Sequence, residues 1–69
     1  MKKIYYNHYE GIFGETPEAV AKALAQKTDC FNRKGTFMGL VKVGRHYKAA
    51  ICQGDGKVRG YVIDVAVAV

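Results

Sequence analysis

Apolar and polar residues alternate with a period of two over residues 3–10, setting Ile4, Tyr6 and His8 on one side of an extended chain and Tyr5, Asn7 and Tyr9 on the other. This alternation predicts a first strand. Gly11-Ile12-Phe13-Gly14 then reads as a connection bracketed by glycines. The period changes to 3.6 after Thr16-Pro17-Glu18, where a threonine suited to cap a helix precedes a proline suited to its first position and an acid suited to the positive end of its dipole. Val20, Ala23, Leu24 and Lys27 recur at helical spacing, and Glu18 stands four residues before Lys22, so the spacing predicts a helix over residues 17–28. Its many alanines leave a thin apolar stripe, suited to lying close against a sheet but too short to be stable alone.

Strand-like runs follow at residues 37–43, 47–53 and 58–69, separated by the turn compositions Gly44-Arg45-His46 and Gly54-Asp55-Gly56-Lys57. They predict an antiparallel meander. The expected fold is therefore a single α+β domain over residues 1–69, with one helix packed on one face of a small antiparallel β-sheet in the order β-α-β-β-β. The tail Val65-Ala66-Val67-Ala68-Val69 is apolar on both sides of the strand, so it is expected either mid-sheet or paired with another chain in a homodimer.

Composition narrows the function more than the fold. At 69 residues a chain buries only about 60% of its unfolded surface, enough for one core but not for a deep active site. Hydrophobic residues make up 49%, which places the chain among globular rather than disordered proteins. The net charge of +5 is unevenly placed. Up to Asp29, Lys2, Lys3, Lys22 and Lys27 balance Glu10, Glu15, Glu18 and Asp29; beyond it, Arg33, Lys34, Lys42, Arg45, Lys48, Lys57 and Arg59 face only Asp55 and Asp64. Such asymmetry either attracts an anionic partner or simply keeps a small domain in solution.

Candidate catalytic and metal chemistry is sparse. His8, Cys30, His46 and Cys52 have no close Cys-Cys or His-His pair of the kind structural zinc sites use, so no metal or other cofactor is expected, and both cysteines read as small core residues. Asp55 and Asp64 have no spacing that marks an acid and base pair, and Cys52 with His46 lacks an orienting third group. Gly54-Asp55-Gly56-Lys57 leads into a strand rather than a helix, which makes it a hairpin turn and not a phosphate cradle. The chain is expected not to be an enzyme. No apolar run approaches the ~20 residues of a membrane span or forms a signal peptide, so a cytosolic chain with reduced thiols and no membrane partner is expected.

The basic residues carry the candidate binding chemistry. By strand alternation Lys42 shares a face with Met38 and Leu40, Lys48 with Ala50 and Cys52, and Arg59 with Tyr61 and Ile63. If Lys42, Lys48 and Arg59 align, the sheet side opposite the helix presents a basic strip with Tyr61 and Tyr5 or Tyr9 beside it. Rings beside cations are what single-stranded nucleic-acid binders use, stacking bases while Lys and Arg track phosphates; tyrosines of a small sheet also commonly cover a half-exposed surface.

Ala21-Lys22, Ala25, Lys27, Cys30-Phe31, Gly35-Thr36, Met38 and Asp55-Gly56-Lys57 together resemble the small phage-encoded type I-F anti-CRISPR inhibitors, over the helix, the loop after it and the meander. Asn32-Arg33-Lys34 and the apolar tail at residues 65–69 are additions to that pattern. The resemblance implies a protein that binds a bacterial CRISPR ribonucleoprotein complex, or another defence protein of the host cytoplasm, and blocks target DNA from pairing with the guide. It makes Lys22 and Lys27 interface residues; by their charge, independently of the resemblance, Arg33, Lys34, Lys42, Arg45, Lys48, Lys57 and Arg59 are further candidate partner or nucleic-acid contacts. Two other readings stand beside it: a basic module that binds DNA or RNA directly, and a structural protein that self-associates through its last strand.

Overall fold

Each predicted element forms, and one more appears among them. The computed structural model describes residues 2–27 and 32–68. Strand β1 (Lys2–Asn7) turns back into β2 (Ile12–Gly14), and β2 pairs antiparallel with Tyr5, Tyr6 and Asn7. Residues 12–14 are thus a short strand rather than a plain connection, and the first strand stops at Asn7 instead of running to residue 10.

Helix α1 (Pro17–Gln26) begins as its sequence dictates: the Thr16 hydroxyl accepts from the Ala19 N–H at 3.1 Å and Pro17 fills the first position. It ends at Lys27, whose backbone is already extended; the expected end at Thr28 lies outside the described residues. The meander follows as β3 (Thr36–Val43), β4 (His46–Cys52) and β5 (Val58–Ala68). Gly35 ties α1 to this meander by donating its N–H to the Ala25 carbonyl at 2.8 Å. No side chain fits there, because a Cβ on Gly35 would sit 2.7 Å from the Cys52 carbonyl oxygen.

The five strands form one antiparallel sheet in the order β2-β1-β5-β4-β3. The last strand is third in that order, but only its first half, Val58 to Ile63, has β4 beside it; the described part of its apolar tail pairs with β1 alone, so its other edge has no neighbour among the described residues and the expected mid-sheet placement does not extend to the tail. The 11 residues of β5 serve two neighbours in turn: Val58 to Ile63 pair with β4, and Asp64 to Ala68 pair with β1. The two halves of the sheet are therefore staggered along β5, giving a molecule of 40 × 20 × 16 Å.

Asn7 stands where β1 ends and β5 continues. Its side chain is 1% exposed; the Nδ2 donates to the Val62 carbonyl at 2.8 Å, and the Oδ1 accepts from the Glu10 N–H at 2.8 Å. One amide thus replaces the ladder bond that β1 no longer supplies and also pins the turn into β2.

The core lies between α1 and one face of the sheet. Val20, Ala21, Leu24 and Ala25 from the helix meet Ala49, Ile51 and Ile63 from β4 and β5, with Tyr5, Ile12, Phe37, Leu40, Tyr47 and Tyr61 packed around them. Alanines on the buried side bring the helix close, as its thin stripe predicts. Cys52 falls on the other side of β4 from Ala49 and Ile51 and is half-buried, which corrects its expected place in the core; Cys30 lies outside the described residues.

Replacing Asn7 by Ala leaves the Val62 carbonyl and the Glu10 N–H without their partner. Since each unsatisfied buried group costs about 1–3 kcal/mol, urea denaturation should show Asn7→Ala destabilised by about 2 kcal/mol or more. A Thr16→Ala variant loses only a cap and should cost about 1 kcal/mol in the same experiment.

Candidate binding surfaces

Sheet register decides where the predicted basic residues go, and it separates them. Lys42 pairs with Tyr47 and Arg59 with Ile51, both on the helix side of the sheet; Lys48 pairs with Val41 and Val62 and faces the opposite way. The strip expected on the face away from the helix therefore does not form. Its tyrosines are also elsewhere: Tyr5 and Tyr61 face the helix side, where Tyr5 meets Tyr47 edge to face at 5.8 Å, and exposed Tyr9 lies in the turn after β1. Met38 was expected beside Leu40 and Lys42. A bulge between Phe37 and Gly39 breaks the alternation there, so Phe37 rather than Met38 joins Leu40 against the core.

Two groups of bases emerge instead. Lys42 and Arg45 lie at the β3–β4 turn. At the other end of the sheet, where α1 stops, the chain enters β3 and β4 turns into β5, stand Lys27, Arg33, Lys34, Lys57 and Arg59. Lys22 projects alone from the exposed side of α1.

Local pairing organises the second group. Lys27 Nζ bonds Glu10 Oε2 and so ties the helix end to the turn after β1. Gln53 Nε2 donates to the Tyr61 hydroxyl on the wall of a small cleft that Glu10, Leu24 and Lys27 also line. In the β4–β5 turn, Asp55 Oδ1 accepts from the Lys57 N–H at 3.0 Å, and its carboxylate holds Arg59 through two bonds of 3.0 and 3.3 Å. The Arg59 hydrogen bond, then the Lys57 N–H, lower the Asp55 pKa to about 2. Asp55 is thus a structural anion, ionised at neutral pH and committed to its own turn, rather than a general acid. Lys2 and Glu15 make a similar exposed pair at 2.6 Å, which raises the lysine and lowers the acid chiefly through their hydrogen bond. A pair so exposed adds little stability.

Among the described residues no three of His, Cys, Asp and Glu come together as a metal site. His46 and Cys52 stand at opposite ends of β4, about 20 Å apart at the rise of a strand. No helix among the described residues is long and apolar enough to cross a membrane.

A surface that the sequence reading missed is the sheet face away from the helix. The apolar positions alternating with the core are Ile4, Tyr6, Phe13, Val41, Val43, Ala50, Val58, Val62 and Ala66, with Lys2, His46, Lys48, Cys52 and Asp64 on the same side, and no helix among the described residues covers them. Phe13 is 75% exposed, Val58 61% and Val41 58%. The signal was present: β3 and β5 are apolar on both sides, as in sheets covered on both faces, yet the chain has only one helix to cover them. Comparison with protein-family models, curated proteins and solved structures finds no match to this chain.

A carboxyl titration followed by NMR should place Asp55 at about 2 rather than its ordinary 3.8. The lowered pKa means that the Asp55 pairing contributes stability above 3.8, and this contribution disappears as pH falls through about 2. Arg59→Ala should bring the midpoint back towards 3.8, with the Lys57 N–H retaining part of the shift.

Proposed function

We propose that the chain is a non-enzymatic binding protein that acts by covering part of a larger partner, and that its basic end makes the contact. The observation that carries this reading is the meeting of Lys27, Arg33, Lys34, Lys57 and Arg59 at one end of the sheet, where Glu10 pairs with Lys27 and Asp55 with Arg59. Surplus positive charge attracts phosphates and carboxylates and speeds encounter with them. Lys34, exposed at a β-bridge just before β3, and Lys57, exposed in the β4–β5 turn, are the residues best placed to reach outwards.

The resemblance of Ala21-Lys22, Ala25, Lys27, Cys30-Phe31, Gly35-Thr36, Met38 and Asp55-Gly56-Lys57 to type I-F anti-CRISPR inhibitors supplies the partner: a bacterial CRISPR ribonucleoprotein complex, met in the host cytoplasm. The sign of the charge then selects the mode of action. A basic end is repelled by the cationic groove that takes target DNA, so it docks on an acidic patch or on guide-RNA phosphates beside that groove, and the body of the domain obstructs the DNA sterically. Lys22, on the outer side of α1, is available to the same partner, whereas Lys27 is engaged by Glu10.

The chain should co-purify with a type I surveillance complex and lower its affinity for target DNA. Lys34→Glu combined with Lys57→Glu should weaken that association about tenfold or more. Failure to associate, with DNA binding unchanged, contradicts the proposal. The same bases favour a second reading, direct binding of DNA or RNA. Contact with about four phosphates of duplex DNA gives a slope of roughly −3.6 in log affinity against log salt, and no binding at low salt removes this reading.

A further inference from the structure

We propose that the sheet face away from the helix is the interface of a homodimer in which two copies pack sheet against sheet. This goes beyond the basic end and leaves it free, since that end lies at the edge of the sheet. Size is the first argument. The strand residues, each about 3.4 Å along and about 4.8 Å across, make a face on the order of 600 Å2, the lower end of what each partner contributes to a stable protein–protein interface. Phe13, Val41, Val43, Val58 and Val62 stand exposed across it around Lys48 and Asp64, and so many large apolar side chains exposed on one face mark an interaction surface. Packing the inner faces of two sheets about 10 Å apart is the usual way such surfaces are buried.

Charge is the second argument, and it selects a second copy over another occupant. The chain carries +5, so two copies repel each other everywhere except where charge is balanced. This face is balanced. Lys3, Lys42 and Arg59 lie on the helix side, Arg45 and Lys57 in turns, and Lys22 on the helix; on the open face Lys2 is paired with Glu15 at the strand end, His46 stands at the start of β4, and Lys48 and Asp64 are the charges in the middle. A nucleic acid gains nothing from such a surface.

The third argument is that these two charges do not satisfy each other. Lys48 stands opposite Val62, with Gly60 diagonal to it on one side and Asp64 on the other. Its stem leans over Gly60, so closely that a Cβ there would lie 2.7 Å from the lysine Cε. Glycine lets the stem lie flat on the sheet and carries the ammonium away from Asp64. A two-fold axis lying between the stacked sheets and passing between the two positions sets each Lys48 over the Asp64 of the other copy. Opposite charges on an otherwise apolar face are thereby self-complementary, as an isologous interface requires.

Sedimentation equilibrium of the full chain should give twice the 7.6 kDa monomer mass. Lys48→Asp and Asp64→Lys should each weaken the dimer about tenfold or more by setting like charges against each other, and the double variant should recover it. Val62→Asp should give a monomer whose circular dichroism and melting show it still folded. A wild-type chain that stays monomeric up to about 1 mM overturns the proposal. So does a dimer indifferent to the charge reversals and to Val62→Asp, or one lost only when residues 66–69 are removed, which would mean pairing through the strand end.

Discussion

The whole architecture depends on how β5 is shared, and the interaction that makes the sharing possible is the buried amide of Asn7. A central strand of 11 residues lies between two shorter neighbours, each covering about half of it, so one neighbour must stop before the other is finished. Where β1 stops, the Val62 carbonyl loses its ladder partner, and Asn7 Nδ2 takes that place while its Oδ1 holds the Glu10 N–H of the following turn. Without this substitution the end of β1, the turn into β2 and the middle of β5 would share unpaired backbone groups in the interior. The stagger that results gives the molecule its elongated shape, with the β4–β5 turn at one end of β5 and the turns after β1 and β3 level with its middle.

Chemistry follows from that geometry. Many of this chain's bases stand in one place, where α1 stops, the chain enters β3 and β4 turns into β5, so positive charge concentrates at one end of the long strand. The middle is left with alternating valines, alanines and glycine. One side of it is covered by a helix of 10 residues, about 15 Å long; the other has no covering element among the described residues. Two surfaces of opposite character result, a charged end and a largely apolar face. The contacts proposed for an anionic partner and for a second copy therefore fall on different residues.

Local features were legible in the sequence and long-range ones were not. Thr16, Pro17 and Glu18 mark the helix start because capping depends on neighbouring residues alone, and the boundaries of β3, β4 and β5 follow from alternation broken by glycine turns. Strand β2 was missed because three residues flanked by glycines have no pattern of their own; pairing with Tyr5 to Asn7 is what makes them a strand. The bulge at Met38 likewise has no signature in composition, yet it alters which side chains meet the core. For the binding surfaces, the identity of the bases could be read but not their faces, since Lys42 and Lys48 are separated by register and not by anything in their immediate sequence. The role of Asn7 was hidden for the same reason: its partner Val62 is 55 residues away.

The most direct test of the account is an isotope-filtered NOE experiment on a mixture of labelled and unlabelled chains, which detects only contacts between different copies. Sheet-on-sheet pairing requires contacts between copies from the methyl groups of Val41 and Val62 and the ring of Phe13. Their absence, or contacts confined to Val65 and Val67 at the strand end, would contradict it.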